Sequence, residues 1–278
     1  MKRSGMIGLC FFAVFAFSAL GATSALAYSD NDTGFIPTYK ECKKVAKGTG
    51  TWSDAKCSKL GGTKTYAAAN WTSLTKVIKS TSGASTLSSY IKGTGVVGTV
   101  TCTKSKDTEN IVGPDDNTAT VTFEKCKSAG KNCTSLEVGA KKGNIKTFLL
   151  AGDLIWLNPP TDTEVGVAVE GAGASPIKGA EKSAEFNCEG LEISTTGELI
   201  GVVTGNVGVF NVKSTATFTT NAGGEQVPSE GAEHETTERF ALSTTIKGVG
   251  TFESGEATTQ LLTGTTSEIT GETLSETG

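Results

Sequence analysis

Few residues in this chain have the types and spacing for chemistry. The only histidine, His234, sits in GAEHETTE. Its acidic neighbours would hold the imidazole cationic, which suits a general base poorly. No G-x-S-x-G elbow accompanies it, so a Ser-His-Asp hydrolase is not expected, and surface histidine is the plain reading. Glycoside hydrolysis asks only for two carboxylates across a cleft. Asp153, Glu164 and Glu185 lie in strand-like runs and are the candidates. Asp115, Asp116 and Asn117 put three oxygen donors into one turn that could take calcium. The EF-hand spacing is missing, and Asp and Asn are ordinary turn residues. Trp52, Tyr66 and Trp71 could stack on a sugar ring, or pack as the core of an N-terminal lobe. No metal site and no cofactor is expected.

The cysteines carry the firmest signal. The first 27 residues read as a secretory signal peptide: Lys2 and Arg3, an apolar run from Met6 to Leu20, then Ala25-Leu26-Ala27. Cleavage before Tyr28 removes Cys10 and leaves six cysteines, Cys42, Cys57, Cys102, Cys126, Cys133 and Cys188. An even set in an exported chain implies disulfides. The absence of C-x-x-C and of a second histidine argues against structural zinc.

Spacing suggests a pairing. Cys126 and Cys133 flank the short turn KSAGKN, and Cys42 and Cys57 flank a Gly/Trp/Asp turn. These two local bridges leave Cys102 and Cys188 to each other. The expected connectivity is therefore Cys42–Cys57, Cys126–Cys133 and Cys102–Cys188, with no catalytic thiol left over.

Charge is uneven. Tyr28–Ala222 holds 21 Lys plus Arg against 19 Asp plus Glu, whereas Gly223–Gly278 holds two basic residues against ten Glu, a net of −8. The acidic C-terminal fifth speaks against nucleic acid, which needs a basic face, and against simple attraction to anionic lipid. No second apolar span follows the signal peptide, so no membrane association is expected after cleavage.

The elements that must position these residues read as strands. Thr, Val and Gly are abundant, Leu/Ala/Glu/Lys helical patterns are absent, and apolar and small polar residues alternate in short runs between turns. GPDDNT from Gly113 to Thr118 is dense turn chemistry ahead of Ala119, Val121 and Phe123. FLLAGDLIWL is apolar on both faces and reads as a central, buried strand, one face running Phe148, Leu150, Gly152, Leu154, Trp156. Val165, Val167 and Val169 return antiparallel. Trp71 to Ser80 suits either one short helix or an irregular strand. Gly171–Ala184 and Asn221–Glu238 read as loops, and the end of the chain as thin and Thr/Glu-rich. The fold expected is all-β, an antiparallel β-sandwich or barrel of about a dozen short strands, with a β-solenoid as the alternative. Residues 28–278 would form one β-rich domain, with an N-terminal lobe at 28–92, core sheets at 93–220 and an acidic segment at 221–278.

Several motifs carry a family resemblance: V-x-C at Val100–Cys102, T-V-T-F-x-x-C at Thr120–Cys126, C-x-S at Cys133–Ser135 and G-A-x-x-G-x-I-x-T from Gly139 to Thr147. L-x-G-x-L from Leu150 to Leu154, E-V-G-V from Glu164 to Val167 and F-x-C at Phe186–Cys188 continue it. Together they cover about half of the mature chain, which resembles a group of exported six-cysteine β-proteins encoded by soil actinobacteria. The resemblance implies export and a disulfide-bonded β-fold. It implies no activity and no catalytic residue.

Function on these grounds is expected to be non-catalytic, binding or structural, at the cell envelope or outside the cell. A carbohydrate or envelope component is the partner considered. The alternative is a histidine-independent extracellular glycoside hydrolase using paired carboxylates.

Overall fold

The structure is a computed structural model that describes residues 37–70, 77–137, 139–157, 164–173, 181–205, 214–233, 236–239, 241–263 and 267–270. The signal segment, Trp71 and His234 lie outside these residues. Among the described residues there are strands and turns only. They run β1 Thr38–Lys44, β2 Tyr66–Asn70, β3 Val77–Ser82, β4 Ser85–Ile91, β5 Gly95–Cys102, β6 Lys104–Ile111, β7 Asp116–Glu124 and β8 Lys127–Ser128. Next come β9 Lys131–Ser135, β10 Ile145–Lys146, β11 Leu150–Trp156, β12 Val165–Gly171, β13 Lys182–Cys188, β14 Leu191–Gly197 and β15 Leu199–Gly205. The last are β16 Ser214–Thr220, β17 Gln226–Val227, β18 Glu230–Glu233, β19 Thr236–Arg239, β20 Leu242–Ile246, β21 Gly250–Thr263 and β22 Ser267–Thr270.

Hydrogen-bonded neighbours close on themselves. The order β7-β11-β12-β15-β16-β21-β3-β6 returns to β7, an eight-stranded antiparallel barrel. A second ring runs β9-β13-β14-β20-β21-β4-β5-β8. It closes through the two-residue β8 and is a half-barrel. The rings share long strands. Ser82 faces Ser105 in the barrel and Ser85 faces Cys102 in the half-barrel without a break in register, so 77–91 and 95–111 form one long hairpin. β14 passes into β15 at Glu198, where Gly197 has φ +96°; a Cβ there would run into the Ala241 carbonyl. Strands thus close rings instead of stacking as the rungs of a solenoid.

Alternation in sequence becomes inside and outside. Val165, Val167 and Val169, with Leu150, Leu154 and Trp156, line the barrel beside Val121, Phe123 and Phe218. Leu87, Val100, Phe186, Ile193 and Ile246 line the half-barrel, and all join one continuous core. β11 is apolar on both faces as expected, because Ile155 packs with Ala168 and Ile200 on its other side. Phe148 is the exception in that run; it precedes the strand and is 46% exposed.

Three further expectations are refined. Of the stretch Trp71–Ser80, residues 71–76 lie outside the described residues, and Val77–Ser80 is strand, the start of β3. The sheets extend past 93–220, since β3, β4, β20 and the 14-residue β21 are ring members. Asn221–Glu238 is not simply an exposed loop: it contributes β17 and the β18–β19 hairpin, and buried Gln226 donates Nε2 to the Ile200 carbonyl at 3.3 Å.

The six cysteines among the described residues are all bridged, but only Cys42–Cys57 follows the expected pairing. The other bridges are Cys102–Cys126 and Cys133–Cys188. Four cysteines form a row across adjacent strands: Thr101 faces Lys127, Lys127 faces Asn132, and Cys133 faces Cys188. Cys126 and Cys133 are indeed neighbours, the Cys133 N–H donating to the Cys126 carbonyl at 3.0 Å. Bonding that middle pair would leave Cys102 and Cys188 about three strand spacings apart, roughly 14 Å, where a disulfide tolerates about 7 Å. Pairing each end of the row with its neighbour is the arrangement that bonds all four.

Candidate functional site

The β3–β6–β7 wall of the barrel is polar inside. In KSKDTENI the period of two turns Ser105, Asp107, Glu109 and Ile111 inward and Lys104, Lys106 and Thr108 outward. Asp107 accepts from the Ser80 backbone N–H at 2.9 Å and from the Ser80 hydroxyl. Ser82 and Ser105 hydroxyls meet at 2.8 Å. On β7, Asn117 points inward, its Nδ2 donating to the Tyr39 hydroxyl oxygen at 2.7 Å and to Glu109 Oε1 at 3.4 Å.

Tyr39 comes from outside the barrel. It lies on β1, centre strand of a three-stranded sheet with β2 and β22, and its backbone N–H donates to the Pro114 carbonyl. Its ring joins the barrel core at 4% exposure, so Tyr39 ties this small sheet to the rim of the barrel. Burial, and then the charges of Glu109, Asp153, Asp115 and Asp116, push the phenol well above its ordinary pKa of 10.0. It therefore acts as a neutral hydroxyl at physiological pH.

The expected sites fare differently. Asp115, Asp116 and Asn117 do not form one ligand set, because strand periodicity sends exposed Asp116 and buried Asn117 to opposite faces. The Asp115 carbonyl accepts from the Leu154 N–H at 3.1 Å, and no group of three or more His, Cys, Asp or Glu among the described residues could hold a metal ion. Asp153 faces Asp116 across β7–β11. Glu164 lies beyond the opposite end of the β11–β12 ladder, about four residues or 13 Å along it. Glu185 belongs to the half-barrel and is ion-paired with Lys182. The three glycosidase candidates are not brought together. Trp52 and Tyr66 are, as bridge partners and both half-buried, the Tyr66 N–H donating to the Trp52 carbonyl at 3.0 Å.

Sequence reasoning missed Tyr39, Asp107 and Glu109. The alternation of the 104–111 run, with both acids in phase with Ile111, was the available signal for the last two; the overall charge of that run masked it.

Comparison with protein-family models, with curated proteins and with solved structures finds no match. The three disulfides fit an oxidising environment, and no described helix is long and apolar enough to cross a membrane.

Proposed function

We propose that the chain is an exported, non-catalytic protein, binding or structural, that acts at the cell envelope or outside the cell. One observation supports this above others. Both rings are filled by a single continuous side-chain core, with Phe123, Phe186 and Phe218 fully buried, and an eight-stranded barrel is about the size that side chains alone can fill. Asp107 and Glu109, which both face the barrel interior, are 7% and 3% exposed and out of a polymer's reach. Recognition then falls to the outer surface, where rigid hairpins present loops. Fractionation of a producing culture tests it: the chain is expected outside the cytoplasm with residues 1–27 removed, and purified protein is expected to turn over no glycan. Reducing sugar released from any polysaccharide, lost on heat denaturation, would overturn the non-catalytic reading.

A further inference from the structure

Four cysteines stand opposite one another on consecutive strands of the half-barrel. Thr101 pairs with Lys127, which sets Cys102 opposite Cys126, and Lys127 pairs with Asn132, which sets Cys126 opposite Cys133. Cys133 in turn pairs with Cys188. All four side chains enter one core. The outer pairs are bonded, Cys102–Cys126 across the β5–β8 seam and Cys133–Cys188 across β9–β13. The middle pair is not bonded, although its backbones meet, the Cys133 N–H donating to the Cys126 carbonyl at 3.0 Å. Directly opposed residues of an antiparallel pair hold their Cα atoms about 4.5–5.5 Å apart, within the span of about 4.4–6.8 Å that a disulfide bridges.

We propose that this row is a redox-sensitive clamp: reduction of either bridge moves the surviving bond to Cys126–Cys133 and so releases both seams of the half-barrel at once. A dithiol supplies two electrons and two protons to the Cys133–Cys188 bond and itself becomes a disulfide. Cys188, at 5% exposure beside the exposed Glu189–Gly190 turn, is the point of entry. The Cys133 thiol then loses its proton to solvent, and its thiolate attacks Cys126 Sγ. The Cys102–Cys126 bond breaks, its electron pair leaves on Cys102 Sγ, and that sulfur takes up a proton. Because the residues succeed one another across the strands, the attacking and leaving sulfurs lie on opposite sides of Cys126. In the fully bridged chain no thiol among the described residues is free to begin the exchange.

Chain entropy favours the move. On loop closure alone the short Cys126–Cys133 loop is preferred about sixfold over the 24-residue Cys102–Cys126 loop, and about twentyfold over the 55-residue Cys133–Cys188 loop. Little backbone pairing opposes it, since β5 and β8 share one residue pair and β9 and β13 share three. The new bond spans a hairpin that its own turn already closes, so it holds neither β5 nor β13. Two independent bridges would be lost one at a time. A row loses both clamps in one two-electron step.

Single cysteine changes start the exchange without any reductant. In purified Cys188→Ser, held at pH 8 and trapped with N-ethylmaleimide, non-reducing peptide mapping is expected to find Cys126–Cys133 in most molecules, with Cys102 alkylated. Cys102→Ser is expected to give the same bond, with Cys188 alkylated. Cys133→Ser removes the middle of the row and is expected to keep Cys102–Cys126, with Cys188 alkylated. Where a variant does not fold, the unaltered chain is reduced stepwise with dithiothreitol instead. Cys102 and Cys188 are then expected to become alkylated together as Cys126–Cys133 appears. In that form amide hydrogen exchange is expected to quicken about tenfold or more in β5 and β13 together, with β12 of the barrel unchanged. An intact Cys102–Cys126 bond in Cys188→Ser, or stepwise loss of the two bridges without a Cys126–Cys133 peptide, overturns the proposal. Bonds from the row to Cys42 or Cys57 in the same samples would mean random shuffling and overturn it equally. Unchanged protection of β5 in the exchanged form would leave no release and defeat the clamp.

Discussion

Cys133 on β9 and Cys188 on β13 face each other directly in the antiparallel ladder, and their sulfurs are bonded. One strand away, Cys126 bonds Cys102 across β5 and β8, where a single residue pair, Thr101 with Lys127, completes the half-barrel. The two bridges therefore clamp the place where the ring has least backbone pairing. The covalent links do there what a longer ladder does elsewhere.

Non-reducing peptide mapping is expected to yield Cys42–Cys57, Cys102–Cys126 and Cys133–Cys188. The last closes 55 residues and on the chain-entropy model contributes about 4 kcal/mol, against about 3 for the 15-residue Cys42–Cys57 loop. Cys133→Ser with Cys188→Ser should lower the melting temperature more than Cys42→Ser with Cys57→Ser. A recovered Cys126–Cys133 peptide would contradict the four-cysteine row.

Tyr39→Phe removes the hydroxyl that accepts from Asn117 and keeps the ring. With Asn117 buried at 3% exposure, the loss is expected to cost about 1–3 kcal/mol in denaturant unfolding. Because the folded phenol's pKa is raised above 10.0, its contribution is complete below that value and declines as pH rises above it, when only the unfolded chain ionises. Ultraviolet titration compared between the parent and Tyr39→Phe should show Tyr39 ionising only as the fold opens. A variant as stable as the parent at pH 7 would show that the Tyr39 hydroxyl adds nothing through Asn117 and that the ring alone holds the small sheet to the barrel.

Strand alternation was legible wherever one face was apolar and the other polar or charged. Val165, Val167 and Val169 announced β12, and GPDDNT announced the turn into β7. β21 was not legible: its Thr, Gly and Glu residues carry little apolar signal, and its place is fixed by β3, β4, β16 and β20 on either side. The disulfide pairing failed for a related reason. Sequence proximity identified Cys126 and Cys133 as neighbours, which they are, but a row of four depends on which strands lie outside them. Tyr39 was hidden because nothing local to β1 tells that its ring enters a barrel built from residues far along the chain.

Glu124 is bonded by Lys106 and Lys104, whose hydrogen bonds and charges lower its carboxyl from 4.5 to about 2. A depressed folded pKa gives stability present above the unfolded value and lost as pH falls. The loss is expected between pH 4.5 and about 2. Carboxyl NMR titration should find Glu124 ionised at pH 3, and Lys104→Ala with Lys106→Ala should return it toward 4.5. An ordinary titration in the unaltered chain would show that the pair of lysines is not engaged in solution.

The barrel interior gives a test of its own packing. Gly201 on β15 turns inward, and a Cβ there would lie 2.6 Å from Cζ of the fully buried Phe218 ring on β16. The glycine is needed for space and not for backbone freedom, since the absence of a side chain is what admits the ring. Gly201→Ala is therefore expected to destabilise by about 1–3 kcal/mol through overpacking. Phe218→Ala alone should cost about 3–5 kcal/mol by leaving a cavity. The two changes together should cost less than their sum, because each relieves the other across one contact. A double-mutant cycle by chemical denaturation measures this coupling. Strict additivity would mean that Phe218 does not occupy the space above Gly201, and with it would go the side-chain-filled barrel on which the non-catalytic reading rests.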